Sequence, residues 1–264
     1  MKPFFISIPH AGEVVPQEAY WLKKLAEPVL MCDVDRYVDE LYGPAAEAAR
    51  VPTIIADVHR YVVDLNRLPE DIDQNSVVGS QNPSGKFTTG YHWSQTTTGE
   101  ILIKTPISIE LHKELTKKYF QPFHNRVAEA FTNFRNSGHK HVFHLDAHSM
   151  PSMGTAIHRD PGTKRPQIVV SDRDGKSCDQ AYKDLVIKAY ESAGFEVTYN
   201  WPYKGGRITE TYGQAAKGQH TLQVEMNRSL YMDEITKKKN TDKFFEVVNK
   251  IEQAIAMIVE ELTT

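Results

Sequence analysis

Phe143-His144-Leu145-Asp146-Ala147-His148-Ser149 is the stretch from which the fold can be read. Successive side chains of a β-strand point to opposite faces, so His144, Asp146 and His148 share one face and Leu145 and Ala147 the other. His148, at the end of the strand, is placed to be a metal ligand. Asp146 is placed to hold an imidazole in one tautomer from behind. The plainer alternative is a strand with a polar, solvated face, but an aspartate within so apolar a flank favours chemistry.

Outward from this stretch, apolar runs of strand length recur at Phe4–Ile8, Thr53–Ala56, Val142–Leu145, Ile168–Val170, Glu196–Tyr199 and Thr221–Val224. Most show little alternation, as expected of strands buried on both faces of a mainly parallel sheet. Helical spacing of apolar residues predicts helices over Asp35–Ala49, with Pro44 a kink or break, and over Ser108–Phe134, divided at Pro122. Two more are predicted over Cys178–Ser192 and over Thr241–Leu262, the last capped by its own threonine. Strands alternating with helices place the chain in the α/β class, as a three-layer α/β/α sandwich on a mostly parallel mixed sheet. One domain over residues 1–264 is expected. Residues Leu68–Thr105 are rich in Asn, Gln, Ser, Thr and Gly and weakly periodic. A loop that long is either functional, as a flap over a site, or a surface excursion with short hairpins.

With 264 residues, 40% hydrophobic and 25% charged, the chain can bury a sizeable core and is far from the composition of disorder. A net charge of -3 gives no general affinity for nucleic acid or anionic membrane. Two cysteines, Cys32 and Cys178, make no CxxC pattern and suggest a reducing compartment rather than a disulfide framework. The N-terminal apolar run is broken by Pro9 and reads as a first strand, not a signal peptide. No stretch reaches the 18 or so apolar residues of a membrane span. The expected location is the cytoplasm.

Ionisable residues gather where these strands end, which is where ligands sit in open α/β sheets. His10 follows the first strand and Glu13 lies three residues on, an HxxE spacing that can direct an imidazole and a carboxylate to one divalent ion; alone it is weak. Glu225 ends an apolar strand, where it is costly to bury without a partner. Near a metal-bound water it can serve as the base; otherwise it pairs with Arg228 or another cation. Arg60, Asn66 and Arg67 follow the second strand, and a planar guanidinium grips a carboxylate in bidentate fashion. Lys204-Gly205-Gly206-Arg207 is a flexible basic turn, making Arg207 a candidate for a second carboxylate or an oxyanion. Tyr212 is either a lid hydroxyl or an ordinary packed tyrosine. The other histidines read as structural or solvated, with His124 and His92 the first to question.

HxxE, then Asp-Leu-Asn-Arg, then His-Ser after a strand, then Glu after a late strand is the order used by zinc carboxypeptidases. That resemblance implies a zinc carboxypeptidase-like fold with zinc held by the HxxE pair and the later His. It implies further that the Asn-Arg pair binds a terminal carboxylate and that the late Glu is the base. A closer match runs through most of the chain. It comprises Ser7-Ile8-Pro9-His10-Ala11-Gly12, Asp33-Val34-Asp35 with Val38-Asp39-Glu40-Leu41-Tyr42, and Arg60-Tyr61-Val62-Val63-Asp64-Leu65-Asn66-Arg67. It continues with Asp146-Ala147-His148-Ser149, Asp174-Gly175-Lys176-Ser177-Cys178, Tyr203-Lys204-Gly205-Gly206-Arg207-Ile208-Thr209 with Tyr212-Gly213, and Gln223-Val224-Glu225 with Tyr231-Met232.

These blocks resemble the N-formylglutamate amidohydrolase family, which belongs to histidine degradation. In that family Thr often stands where this chain has Glu13, while the Asp-x-Asp before the first helix recurs. The carboxypeptidase analogy therefore points to Glu13 as the acidic metal ligand and the closer family to Asp35. The resemblance implies a zinc-dependent hydrolase of a linear amide, with zinc on His10, His148 and Glu13 or Asp35 and Glu225 as base. Asn66 and Arg67 would hold one carboxylate, and Arg60 or Arg207 the oxyanion or a second carboxylate. The substrate would be N-formyl-L-glutamate, released as formate and L-glutamate. The rivals are a deacylase or carboxypeptidase for another N-acyl amino acid or a cell-wall peptide, and a non-catalytic amino-acid sensor.

Overall fold

Six strands make one sheet: β1 (Phe4–Ile8), β2 (Thr53–Ile55), β3 (Val142–Met150), β4 (Ile168–Ser171), β5 (Val197–Tyr199) and β6 (Gln219–Asn227), in the spatial order β2-β1-β3-β6-β4-β5. The structure is a computed structural model that describes residues 2–262. β2, β1, β3 and β6 are mutually parallel; β4 is antiparallel to β6, and β5 follows β4. The sheet is therefore mixed and mostly parallel, as the sequence predicts.

Its two faces bury two separate cores. On one face α2 (Val38–Ala49), α5 (Gln180–Ser192) and α7 (Thr241–Glu261) cover Ile6, Ile8, Leu145, Ala147 and Val224. α7 buries Phe244, Val247, Val248, Ile251, Ile255 and Ile258, a stripe at three- and four-residue spacing. Each such side chain contributes about 1.5–3 kcal/mol when removed from water. On the other face α3 (Ile109–Leu115) and α4 (Gln121–Asn136) place Leu115, Phe123, Val127 and Phe131 against Phe5, Tyr61 and Trp93. These are the three layers. α1 (Glu27–Leu30) and α6 (Arg207–Tyr212) are short and lie in connections.

The departures from the sequence reading have local causes. β3 and β6 run on past their apolar cores because the polar residues that follow are buried side by side: His144 beside Thr221, Asp146 beside Gln223, His148 beside Glu225. The strand face carrying His144, Asp146 and His148 is therefore interior, not solvated. α2 starts at Val38 rather than Asp35 and runs through Pro44 unbroken. The division expected at Pro122 takes the form of a π-helical turn just before it. Pro122 sits at the start of α4, and the π-helical turn at Thr116–Phe120 widens the preceding ladder where the missing N–H would interrupt it. α7 is capped by Asn240, which accepts from the Lys243 N–H at 3.3 Å, not by Thr241. Residues 68–105 carry no helix or strand, but bury Tyr91, Trp93 and Leu102 and are tied down by bridges such as Val77–Ile107.

Candidate active site and metal centre

β1 and β3 are neighbours, so the residues at their carboxyl ends meet. His10 Nε2 lies 2.7 Å from Asp64 Oδ1 and His148 Nε2 lies 2.7 Å from Asp146 Oδ2. Each carboxylate accepts the Nε2–H, which fixes the tautomer and leaves Nδ1 as the free lone pair. Both Nδ1 atoms face one oxygen: Asp35 Oδ2 is 3.1 Å from His148 Nδ1 and 3.5 Å from His10 Nδ1. All three residues are buried, and His10 Nδ1 has no hydrogen-bond partner. Their donor atoms lie within 4.8 Å of one another. Two imidazole lone pairs and a carboxylate converging in a buried space repel one another unless a cation sits between them, and the donor set is one that zinc accepts. The residues fit a divalent ion. Without one, a proton takes its place: burial opposes charge on His148, but Asp146 and Asp35 outweigh it and hold the imidazole well above its ordinary pKa.

An outer ring of charge fixes these ligands. Asp64 also accepts from Trp93 Nε1 at 2.9 Å, the Asn66 N–H at 2.9 Å and Arg60 Nη2 at 3.1 Å. Burial pushes its carboxyl up, but the charges of His10, Arg60 and Arg67 prevail and hold it well below the usual range. Asp146 accepts from the Ser7 hydroxyl, itself 2.8 Å from His144 Nε2. Asp35 offers its second oxygen to Arg228 at 2.9 Å and Ser149 at 3.2 Å. Against burial, His10, His148 and Arg60 keep Asp35 ionised well below its ordinary pKa. Arg228, buried on the main-chain carbonyls of Cys32 and Asp33, pairs with Asp35 and leaves Glu225 to the cavity.

Glu13, the other acidic metal candidate, is turned away. Gly12 packs so tightly on the Asp57 carbonyl that a Cβ would come within 2.4 Å, and Val14 bridges to Val58, which sends the intervening side chain outward. Glu13 pairs there with Arg36 at 2.6 Å. Asp35 is drawn in instead, its N–H donating to the His10 carbonyl at 3.0 Å.

A cavity of about 380 Å³ opens above the group, lined among others by Arg60, Asn66, Arg67, Trp93, Tyr203, Gln223 and Glu225. Glu225 is buried, beside His148 in the sheet, and accepts from Gln223 Nε2 at 2.7 Å. Burial is the main cause that pushes its carboxyl up to about 7. Asn66 braces the wall: its Oδ1 accepts from the Ile208 N–H at 2.8 Å, and a Cβ on Gly206 would sit 2.3 Å from its Nδ2.

Two candidates are not brought to the cavity. Arg207 opens α6 and turns to Glu210 at 2.6 Å, in the adjoining groove. Tyr212 is packed: its hydroxyl donates to the His124 carbonyl at 3.0 Å and its ring stacks on Phe131. His124 and His92 brace the main chain, bonding the carbonyls of Leu65 and Val62. Sequence reasoning gave no role to Trp93, Gln223 or the 152–165 loop. Asp64 lay inside one of the sequence motifs beside its partners Arg60 and Asn66, but His10 and Trp93, which give it its role, are distant in the chain and left no local signal.

A second group, His141, Asp179 and His220, lies at the opposite end of the sheet. His220 Nδ1 accepts from the Asp179 N–H at 3.2 Å, so its Nε2 carries the proton and donates to His141 Nδ1 at 2.9 Å. A neutral imidazole used this way has no lone pair left for a metal.

Comparison with known proteins fixes the family. Residues 2–232 match the family model described as N-formylglutamate amidohydrolase, and every motif quoted above lies inside that span. The chain belongs to the N-formylglutamate amidohydrolase family. Within that family, an N-formylglutamate deformylase of Pseudomonas putida is 30% identical over 235 residues, 88% of this chain and 82% of that one. The crystal structure of an N-formylglutamate amidohydrolase from Ralstonia eutropha has a TM-score of 0.85 at 27% identity, covering 98% of this chain and 93% of that one. A gene product of Agrobacterium tumefaciens, 18% identical with a TM-score of 0.71 over 98% of this chain and 91% of that one, shares the fold.

Proposed function

We propose that this protein is a zinc-dependent amidohydrolase that converts N-formyl-L-glutamate and water to formate and L-glutamate. The observation that carries the reading is the convergence of two lone pairs, each fixed by a buried carboxylate, on Asp35 at the floor of a cavity that also holds Glu225 and Arg67. Its membership of the amidohydrolase family and its likeness to the P. putida deformylase support the substrate.

His10, Asp35 and His148 would hold the ion through Nδ1, a carboxylate oxygen and Nδ1. Bound there, zinc supplies Lewis acidity, lowering the pKa of water toward about 7 and polarising the formyl carbonyl. Glu225 takes a proton from the attacking water and delivers it to the amide nitrogen as the C–N bond breaks. The water oxygen ends on the formyl carbon, which leaves as formate. Arg67, beside Asn66, grips the α-carboxylate next to the scissile bond. Arg60 faces the cavity with its guanidinium fixed by Asp64 and the Asp33 carbonyl, 4.7 Å over the Trp93 ring, and stabilises the negative charge that develops on the carbonyl oxygen.

No helix among the described residues is long and apolar enough to cross a membrane. Cys32 and Cys178 are free thiols, which suits the cytoplasm as the working location. Small-molecule catabolism of histidine is the proposed setting.

The test is formate release from N-formyl-L-glutamate by purified protein as isolated, after chelation and after zinc is restored. Release abolished by chelation and rescued by zinc is expected. A folded, zinc-loaded sample that releases no formate would reject the substrate and direct the search to other N-acyl amino acids.

A further inference from the structure

Six cationic side chains line the cavity: Arg60, Arg67, Arg159, Arg165, Lys204 and Arg228. Four have carboxylate partners. Arg60 pairs with Asp64 at 3.1 Å, Arg165 with Asp160 at 2.8 Å, Lys204 with Asp174 at 2.9 Å and Arg228 with Asp35 at 2.9 Å. Arg67 donates only to the main-chain carbonyls of Thr89 and Asn66. Arg159 has no carboxylate partner among the described residues. The cavity thus presents two guanidiniums without a counter-ion, and an N-acyl glutamate brings two carboxylates.

The two arginines differ in depth. Arg67 is half-buried and fixed on the Thr89 and Asn66 carbonyls in the wall of the cavity that His10, His148 and Glu225 also line. Arg159 is exposed at the rim, near the tip of the loop between β3 and β4. The α-carboxyl carbon of the substrate is two bonds from the scissile nitrogen and the γ-carboxyl carbon four. The deep cation therefore matches the first group and the rim cation the second.

The loop is built to hold its tip still. Met153 bridges to Lys164 and Gly154 to Pro161, and a Cβ on Gly154 would come within 2.0 Å of the Asp160 carbonyl oxygen. The buried Arg165 clamps Asp160 through Nε and Nη2, both at 2.8 Å, and reaches the Tyr203 hydroxyl at 3.0 Å. The Thr155 N–H donates to His158 Nδ1 at 2.9 Å across the tip. The main chain that carries Arg159 is thus already ordered, so binding costs the entropy of its side chain but not that of the loop.

We infer that Arg159 is the specificity-determining residue for an acidic side chain, gripping the γ-carboxylate while Arg67 holds the α-carboxylate. This rests on the N-formylglutamate reading above. It replaces the sequence-based assignment of a second carboxylate to Arg207, which is occupied by Glu210 and lies outside the cavity.

The test measures kcat/KM of the zinc-loaded wild type, Arg159→Gln and Arg159→Lys on N-formyl-L-glutamate and on its neutral isostere N-formyl-L-glutamine. Glutarate binding to the same proteins is followed by calorimetry. Losing one charge-assisted contact predicts about a 10- to 100-fold fall for Arg159→Gln on the glutamate substrate, with the glutamate-to-glutamine preference shrinking by the same factor. Lysine should restore most of it. A preference unchanged in Arg159→Gln would overturn the assignment while leaving the N-formylglutamate reading intact. If the wild type released no formate, that reading would fail alone provided glutarate bound in an Arg159-dependent manner; glutarate binding indifferent to Arg159 would end both.

Discussion

Replacing Asp64 with asparagine keeps the shape of the side chain and reverses part of its hydrogen-bonding sense. The carboxylate accepts from His10, Trp93, Arg60 and the Asn66 main chain. An amide has only one oxygen to accept with, so its NH₂ group must face some of those donors. If it faces His10, the imidazole moves its proton to Nδ1, the atom proposed to bind zinc. Loss of such a supporting carboxylate weakens metal affinity about 10- to 100-fold. Arg60 loses its ion-pair partner at the same time. Breaking a buried pair costs about 3–5 kcal/mol, and the low end applies because Arg60 keeps the Asp33 carbonyl at 2.8 Å and Asp35 at 3.7 Å. For a chain of this size about 3 kcal/mol lowers the melting temperature by roughly 6–12 °C. Zinc affinity would be measured by competition with a chromophoric chelator, and stability by thermal melts of metal-free protein. Asp64→Asn protein with wild-type zinc affinity would refute the argument that Asp64 sets the His10 tautomer. An unchanged melting temperature would refute the claim that Arg60 depends on it.

Other substitutions separate the remaining roles. Glu13→Gln should leave zinc affinity and formate release within about two-fold and cost at most about 1 kcal/mol, as for an exposed pair; a lost metal would return Glu13 to the ligand set. Glu225→Gln should keep its zinc but lose about 10²- to 10⁴-fold in kcat, and full turnover would dismiss it as the base. Phe131 meets Phe5 edge-on at 4.9 Å and stacks on Tyr212 at 5.9 Å, so Phe131→Ala should cost about 3–5 kcal/mol in denaturant melts. A cost below about 1 kcal/mol would mean that this layer repacks freely.

Sequence reveals the strands where their cores are apolar and loses them where they become useful. β1 was legible from end to end because all five residues are apolar or small and all are buried. β3 and β6 were legible as far as His148 and Glu225, but their last residues, Ser149, Met150, Met226 and Asn227, were not, because a run that has turned polar looks like a loop until the site that buries it is known. The HxxE spacing suggested Glu13 and the family resemblance Asp35, but which of them reaches His10 depends on a glycine contact and a main-chain hydrogen bond that no pattern announces. Arg207 illustrates the converse. Its partner Glu210 lies three residues on, a helical neighbour visible in the sequence, and that local pair outweighs the attraction of a nearby cavity.

The reversal of β4 has a consequence for how such an enzyme can change. Had β4 run parallel to β6, the chain leaving β3 would have had to cross a face of the sheet and return before re-entering it. Because β4 runs back, Met150 and Ile168 stay at the same end, separated by the width of β6, two inter-strand spacings or about 10 Å. The ends of the segment between them are fastened, the Ser152 N–H on Glu234 and the Arg165 carbonyl on Asn227, so the tip between those anchors is the part open to exchange. A segment of different length or charge can be spliced across that gap while His10, Asp35, His148 and Glu225 remain on their own strands and turns. Substrate range can drift through this one insertion point without the chemistry being rebuilt.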